Sequence, residues 1–271
     1  MVQTNGTTAV ATKPAGPESP EGDRQPEPEP VLDDIDQHPH SEDPIHAAAY
    51  ALEAARRRVA TEPDTEEDLI FALGKLADLR REDGDYRRAH GLYREAIHRA
   101  VEIEMGGENF ARLYAGLAWL HQANDEPGKA ISNYRVALDI LEVETDGTSK
   151  LFATIHNNLA VIYRQQENYE RSEEHYQKAL PFVENQSEGG GSSLAYIYQN
   201  LGVLYGVSGQ ADNAVDYLYK ALELRERILP PGHDDILQTL EDLAGAYDQL
   251  GDEKLAEKYR RDVERFATNR E

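Results

Sequence analysis

The chain has 271 residues, a net charge of −23, a pI near 4.7 and no cysteine. So acidic a surface repels nucleic-acid phosphates and anionic membranes, which leaves a protein or peptide, most easily a basic one, as partner. The missing cysteine excludes disulfides, thiolate metal sites and cysteine nucleophiles together.

Residues 1–43 carry ten acidic side chains against Lys13 and Arg24, with prolines throughout. Few apolar groups are available to offset ordering entropy of ~1–2 kcal/mol per residue, so a disordered acidic tail is expected. Nothing rigid holds Asp33, Asp34, Asp36, His38 and His40 together, so no metal site is expected there. The first 14 residues lack a basic start followed by an apolar run, and no apolar stretch approaches the ~20 residues of a membrane span. A cytoplasmic location is the expectation.

Ser41 or Asp43 can cap a helix over 44–60 with Pro44 in its first turn. Its Ala48, Leu52 and Ala55 stand 41 residues before Ala89, Tyr93 and Ala96, so it reads as half a repeat that caps a stack. Five helix pairs follow, at about 65–103, 108–143, 149–185, 192–228 and 233–267. Leu76, Leu117, Leu159, Leu201 and Leu243 recur every 41 or 42 residues in the first helices. A small residue follows each one: Ala77, Ala118, Ala160, Gly202 or Ala244. Small residues let helix axes approach, and Tyr93, Tyr134, Tyr176 and Leu218 of the second helices are expected to fill the space. Gly84, Gly209 and Gly251 suit left-handed turns within pairs, and Asp125 and Glu167 hold the equivalent places. Flexible connections between pairs are expected at 106–107, 145–147, 187–193 and 230–232. In the last helix Arg260 takes the tyrosine register, as suits the polar outer face of a terminal repeat.

The pattern Leu-[Gly/Ala]-x-x-Tyr, then Gly, Ala, an aromatic residue and Ala, resembles the tetratricopeptide repeat. Leu201, Gly202, Tyr205, Gly209, Ala214 and Ala221 match it well. The 42-residue period and the run Asn157-Asn158-Leu159-Ala160-Val161-Ile162-Tyr163 are similar to the kinesin light chain variety. The segment Leu224–Leu229 followed by Gly232-His233-Asp234-Asp235 is similar to that variety's connecting segment. The resemblance implies an all-α, right-handed α-solenoid over 44–271 whose first helices line a concave groove. It also implies that the side chains two places beyond each leucine, and one and two places before it, face that groove.

On this basis the candidate peptide-binding residues are Trp119, Asn157, Asn158, Val161, Arg164, Gln199, Asn200 and Val203. Amides can satisfy both donors and acceptors of an extended peptide, while Trp119 and the valines can hold side chains. A co-chaperone-type carboxylate clamp is not expected, because Gly74 and Asp78 stand where its lysine and asparagine belong. No His-Glu-x-x-His motif or phosphate loop is present, so no enzyme, cofactor or metal is expected. The leading function is an adaptor or scaffold that binds protein or extended peptide. The alternative is a structural protein that self-assembles through its ends or edges.

Overall fold

The computed structural model describes residues 43–144, 149–184 and 190–268. Among them are eleven α-helices and one short 3-10 turn, with no strand. The helices are α1 (Pro44–Val59), α2 (Glu66–Glu82), α3 (Tyr86–Glu102), α4 (Gly107–Ala123), α5 (Pro127–Glu144), α6 (Lys150–Gln165), α7 (Tyr169–Glu184), α8 (Gly190–Val207), α9 (Ala211–Ile228), α10 (Asp234–Leu250) and α11 (Glu253–Thr268). The expected acidic tail lies outside the described residues except for Asp43. That residue caps α1, its carboxylate accepting from Ile45 N at 2.9 Å.

One turn is repeated five times. The residue after each αL position closes a hydrogen bond five residues back: Asp85 to Arg80, Glu126 to His121, Asn168 to Tyr163, Gln210 to Tyr205 and Asp252 to Tyr247. This is the wider bond of a Schellman stop, and it satisfies a carbonyl the helix leaves free. The αL residue is Gly84, Gly209 or Gly251 in three turns and Asp125 (φ 60°) or Glu167 (φ 58°) in the others. A non-glycine residue there costs roughly 1–2 kcal/mol, which the turn absorbs to keep the pairs alike. Asp85, Asn168 and Asp252 then cap the next helix through their side chains.

Contacts divide the chain between Leu151 and Phe152 into two compact units. In the first, α1 packs on α2, and the pairs α2–α3 and α4–α5 meet through α2–α4 and α3–α4. Ala48, Leu52 and Ala55 of α1 are buried, so this helix covers the apolar side of the first pair. Tyr93 and Tyr134 are enclosed completely, as are Ala96 and Ala137.

In the second unit α7–α8, α8–α9, α9–α10 and α10–α11 pack in sequence. A column of rings ties α6 to α7: Arg171 lies over Tyr163, Tyr163 stacks on His175, His175 meets His156, and Phe152 bridges His156 to Phe182. Ser172, which stands where other repeats have alanine, is fully buried and donates to Ala160 O at 2.8 Å. A satisfied hydroxyl at this position costs the core little.

One sequence expectation is corrected. The connection read as 187–193 is shorter, because α8 already begins at Gly190. Glycine weakens a helix interior by ~1 kcal/mol, but at the first turn the penalty is small, and Leu194 packs on the core one turn later. In α11 Arg260 is exposed and pairs with Asp248, as the polar outer face of a terminal repeat requires, while Tyr259 is buried beside it.

Gly116 illustrates how tightly the helices meet. A Cβ there would stand 2.4 Å from Cζ of Tyr93. Gly116→Ala should therefore lower stability by about 1–3 kcal/mol, although alanine is the better helix former. Gly245, with nothing within 4 Å of its Cβ position, should gain about 0.4–1 kcal/mol on the same change. Thermal unfolding of both variants checks the opposite signs.

Candidate functional site

The second unit brings α6, α8 and α10 together as first helices of successive pairs. Their polar side chains form ties from helix to helix. Asn200 Nδ2 of α8 donates to Asn157 Oδ1 of α6 at 3.0 Å, and Asn157 Nδ2 donates to Asn158 Oδ1 at 3.4 Å. Gln199 Nε2 donates to Asp242 Oδ2 of α10 at 2.6 Å, and Gln238 Nε2 donates to the other oxygen at 3.2 Å. Burial raises the Asp242 carboxyl above the ordinary range, and the two amide donors oppose that rise.

Asn157 and Gln199 are thus buried spacers between helices and not open groove groups. Asn158, Val161, Arg164, Asn200 and Val203 are half-buried. Tyr196, five residues before Leu201 on α8, is 54% exposed on the same helix.

Beneath this face stands Arg225 of α9, 5% exposed. Its Nη1 donates to Asp235 O at 2.9 Å and Thr239 Oγ1 at 2.5 Å. No carboxylate pairs with it among the described residues, and burial lowers its pKa, with Asp235 and Asp242 opposing from farther away. The equivalent residues one, two and three repeats earlier are Val183, Leu141 and Ala100. A cation in a register otherwise apolar is a signal the sequence carried and the repeat pattern masked.

A second polar break concerns the tyrosines. In the first pair Tyr93 Oη donates to Asp78 Oδ1 at 2.5 Å and accepts from Arg81 Nε at 3.3 Å. Burial, then Asp78, pushes this phenol above its usual range. In the third pair Arg164 stands in the place of Arg81, Tyr176 in that of Tyr93, and Val161 in that of Asp78. Tyr176 Oη and Arg164 Nε are both buried and have no well-aligned hydrogen-bond partner among the described residues. Burial raises the Tyr176 phenol, and the Arg164 guanidinium opposes that rise by its charge and as a hydrogen-bond donor, though the contact between them is poorly aligned. An unmade bond at a buried hydroxyl costs roughly 1–3 kcal/mol. What this place lacks is the carboxylate that Asp78 supplies in the first pair.

Trp119 belongs to the first unit and is packed there. Its ring meets Tyr86 edge-on at 5.6 Å and lies under Arg81 at 5.1 Å. It joins α4 to the turn of the preceding pair, which accounts for a tryptophan on a partly wet face. No group of three or more metal-binding side chains occurs among the described residues, and no helix there is long and apolar enough to cross a membrane.

A tetratricopeptide repeat model matches residues 151–206 and 193–269. The solved structure of BtubC (BKLC) from P. vanneervenii is 33% identical, covering 83% of this chain and 90% of that one, with a TM-score of 0.71. A kinesin-light-chain-like protein of Podosopora anserina with nearly identical repeats is 18% identical over 74% of this chain and 96% of that one, TM-score 0.62. NprR in complex with its cognate peptide NprX is 18% identical over 85% of this chain and 69% of that one, TM-score 0.54. A search of curated proteins gave no match. Fixed-period pairs, small–large packing and these likenesses agree: the chain belongs to the tetratricopeptide repeat family, with repeats of the kinesin-light-chain-like kind.

Proposed function

We propose that the chain is a protein-interaction scaffold that binds an extended peptide segment across α6 and α8. The observation that carries this reading is that Arg164 Nε has no well-aligned partner among the described residues, next to the half-buried Asn158 and Asn200. Asn200 uses its amide N–H toward Asn157, and its Oδ1 has no partner among the described residues, so it can accept from a peptide N–H. Val161 and Val203 offer apolar contact two places beyond Leu159 and Leu201. The family supports protein binding in general, and the peptide complex of the NprR structure fits the same kind of ligand.

Net charge argues for a basic partner, but the local chemistry asks for a carboxylate. Arg164 Nε has no acidic partner among the described residues of a chain with 51 acidic and 28 basic side chains. A ligand side chain or chain end bearing a carboxylate can accept from the half-buried Arg164 guanidinium. A basic ligand residue then fits nearer α10, where Glu241 is exposed. The acidic segment 1–43 is read as a separate solubilising tail, and the absence of cysteine fits a reducing cytoplasm.

Selection of random peptides on the immobilised full chain tests this. Enriched sequences should carry an acidic residue at a fixed place. Their affinity should fall at least tenfold for Arg164→Ala and several-fold for Asn200→Ala, with unfolding curves unchanged. Enriched peptides without an acidic position, or unaffected by both substitutions, would sink the assignment.

A further inference from the structure

His156 of α6 and His175 of α7 face each other with their Nδ1 atoms 2.8 Å apart. A nitrogen–nitrogen contact of that length needs one N–H and one lone pair, so at least one ring must be neutral. His156 is 4% exposed, with the Phe152 ring 4.4 Å away and the His175 ring 5.0 Å away. The groups around the pair are Tyr163 on α6 and Arg171, Glu174 and Lys178 on α7. Glu174 is the one anion among them and is already engaged by Lys178 at 2.7 Å.

We infer that the His156–His175 pair is a pH-sensitive latch, holding α6 against α7 at neutral pH and releasing the joint on acidification. His156 directly precedes Asn157 and Asn158, and His175 directly precedes Tyr176, so the latch shares its two helices with the candidate residues. It depends on no ligand and stands or falls apart from the peptide-binding reading. One proton is tolerated, because an imidazolium N–H still donates to a neutral ring. A second leaves two cations and no acceptor between the rings.

Burial, then His175, then Lys178 push His156 down to about 3, with Glu174 opposing. The closed joint therefore binds fewer protons than the open one between pH 6.5, the ordinary histidine value, and about 3. Its closure is fully present above that window and weakens as pH falls through it. At pH 5 the open form gains roughly 30-fold over neutral pH, a factor of ten per pH unit below 6.5.

Hydrogen exchange of the full chain without ligand, corrected for the intrinsic pH dependence of exchange, tests the latch. Between pH 7.5 and 5.0 the protection of α6 and α7 amides should fall about 30-fold. That of α9, which holds no histidine, should fall far less. His156→Phe should remove the dependence. His175→Phe, at the less buried partner, should shrink the dependence without abolishing it, because the burial of His156 remains, and serves if the first variant folds poorly. Constant protection in α6 and α7, an equal fall in α9, or an unchanged fall in a folded variant would overturn the proposal.

Discussion

Alanine in place of Tyr93 or Tyr134 should lower the stability of the chain by about 3–5 kcal/mol, the cost of removing a fully enclosed aromatic side chain. Each ring fills the space between helices that small residues such as Ala77, Ala118 and Gly116 leave open. Phenylalanine separates packing from hydrogen bonding. Tyr93→Phe should cost about 1–3 kcal/mol, because Asp78 loses its donor and Arg81 its acceptor. Tyr176→Phe should cost clearly less or be neutral, because its hydroxyl has only the poorly aligned Arg164 to lose. Urea midpoints of the variants decide the matter. Equal costs for the two phenylalanine changes would show that the Tyr176 hydroxyl is satisfied within the free protein.

Arg225→Leu should raise stability by about 1–3 kcal/mol. A buried cation without a carboxylate partner carries a desolvation penalty that an apolar side chain avoids. Val183, Leu141 and Ala100 show that the register accepts apolar residues. Thr239 keeps its bond to Asp235 O at 2.8 Å after the change, so no new orphan arises there. A stabilised variant with weakened peptide binding would mark Arg225 as a residue kept for function at the expense of stability. A destabilised one would show that the bonds to Asp235 and Thr239 outweigh desolvation. Thermal unfolding reads either result.

Most of the fold was legible because one spacing repeats. The leucine followed by a small residue, the enclosed tyrosines and the αL position all recur at 41 or 42 residues, and the helices follow that phase. Reading failed where a local residue left the phase. In α11 Arg260 is the surface residue its polarity indicated, but the buried ring of Tyr259, one place before the register, was not anticipated. The glycines at 190 and 191 looked like linker, yet the first turn of a helix tolerates them.

At the candidate site, sequence could place residues on a face but could not say which ones neighbours consume. Asn157 and Gln199 were legible as groove amides and prove to be ties to Asn200 and Asp242. Trp119 was legible as an anchor and packs on Tyr86 and Arg81. Tyr176 was read as core, which it is. Its poorly paired hydroxyl emerges only from comparison with Tyr93 and Asp78.

The central claim is that the open side chains of α6 and α8 hold a peptide with a carboxylate at Arg164. Its most direct test is backbone amide chemical-shift mapping of the full chain during titration with one selected peptide. The account predicts the largest changes at Asn158, Val161, Arg164, Asn200 and Val203, with Arg171, Lys178 and Lys220 on the second helices unmoved. Shifts centred on α7 and α9, or a map unaltered when the peptide's acidic residue is made neutral, would contradict it.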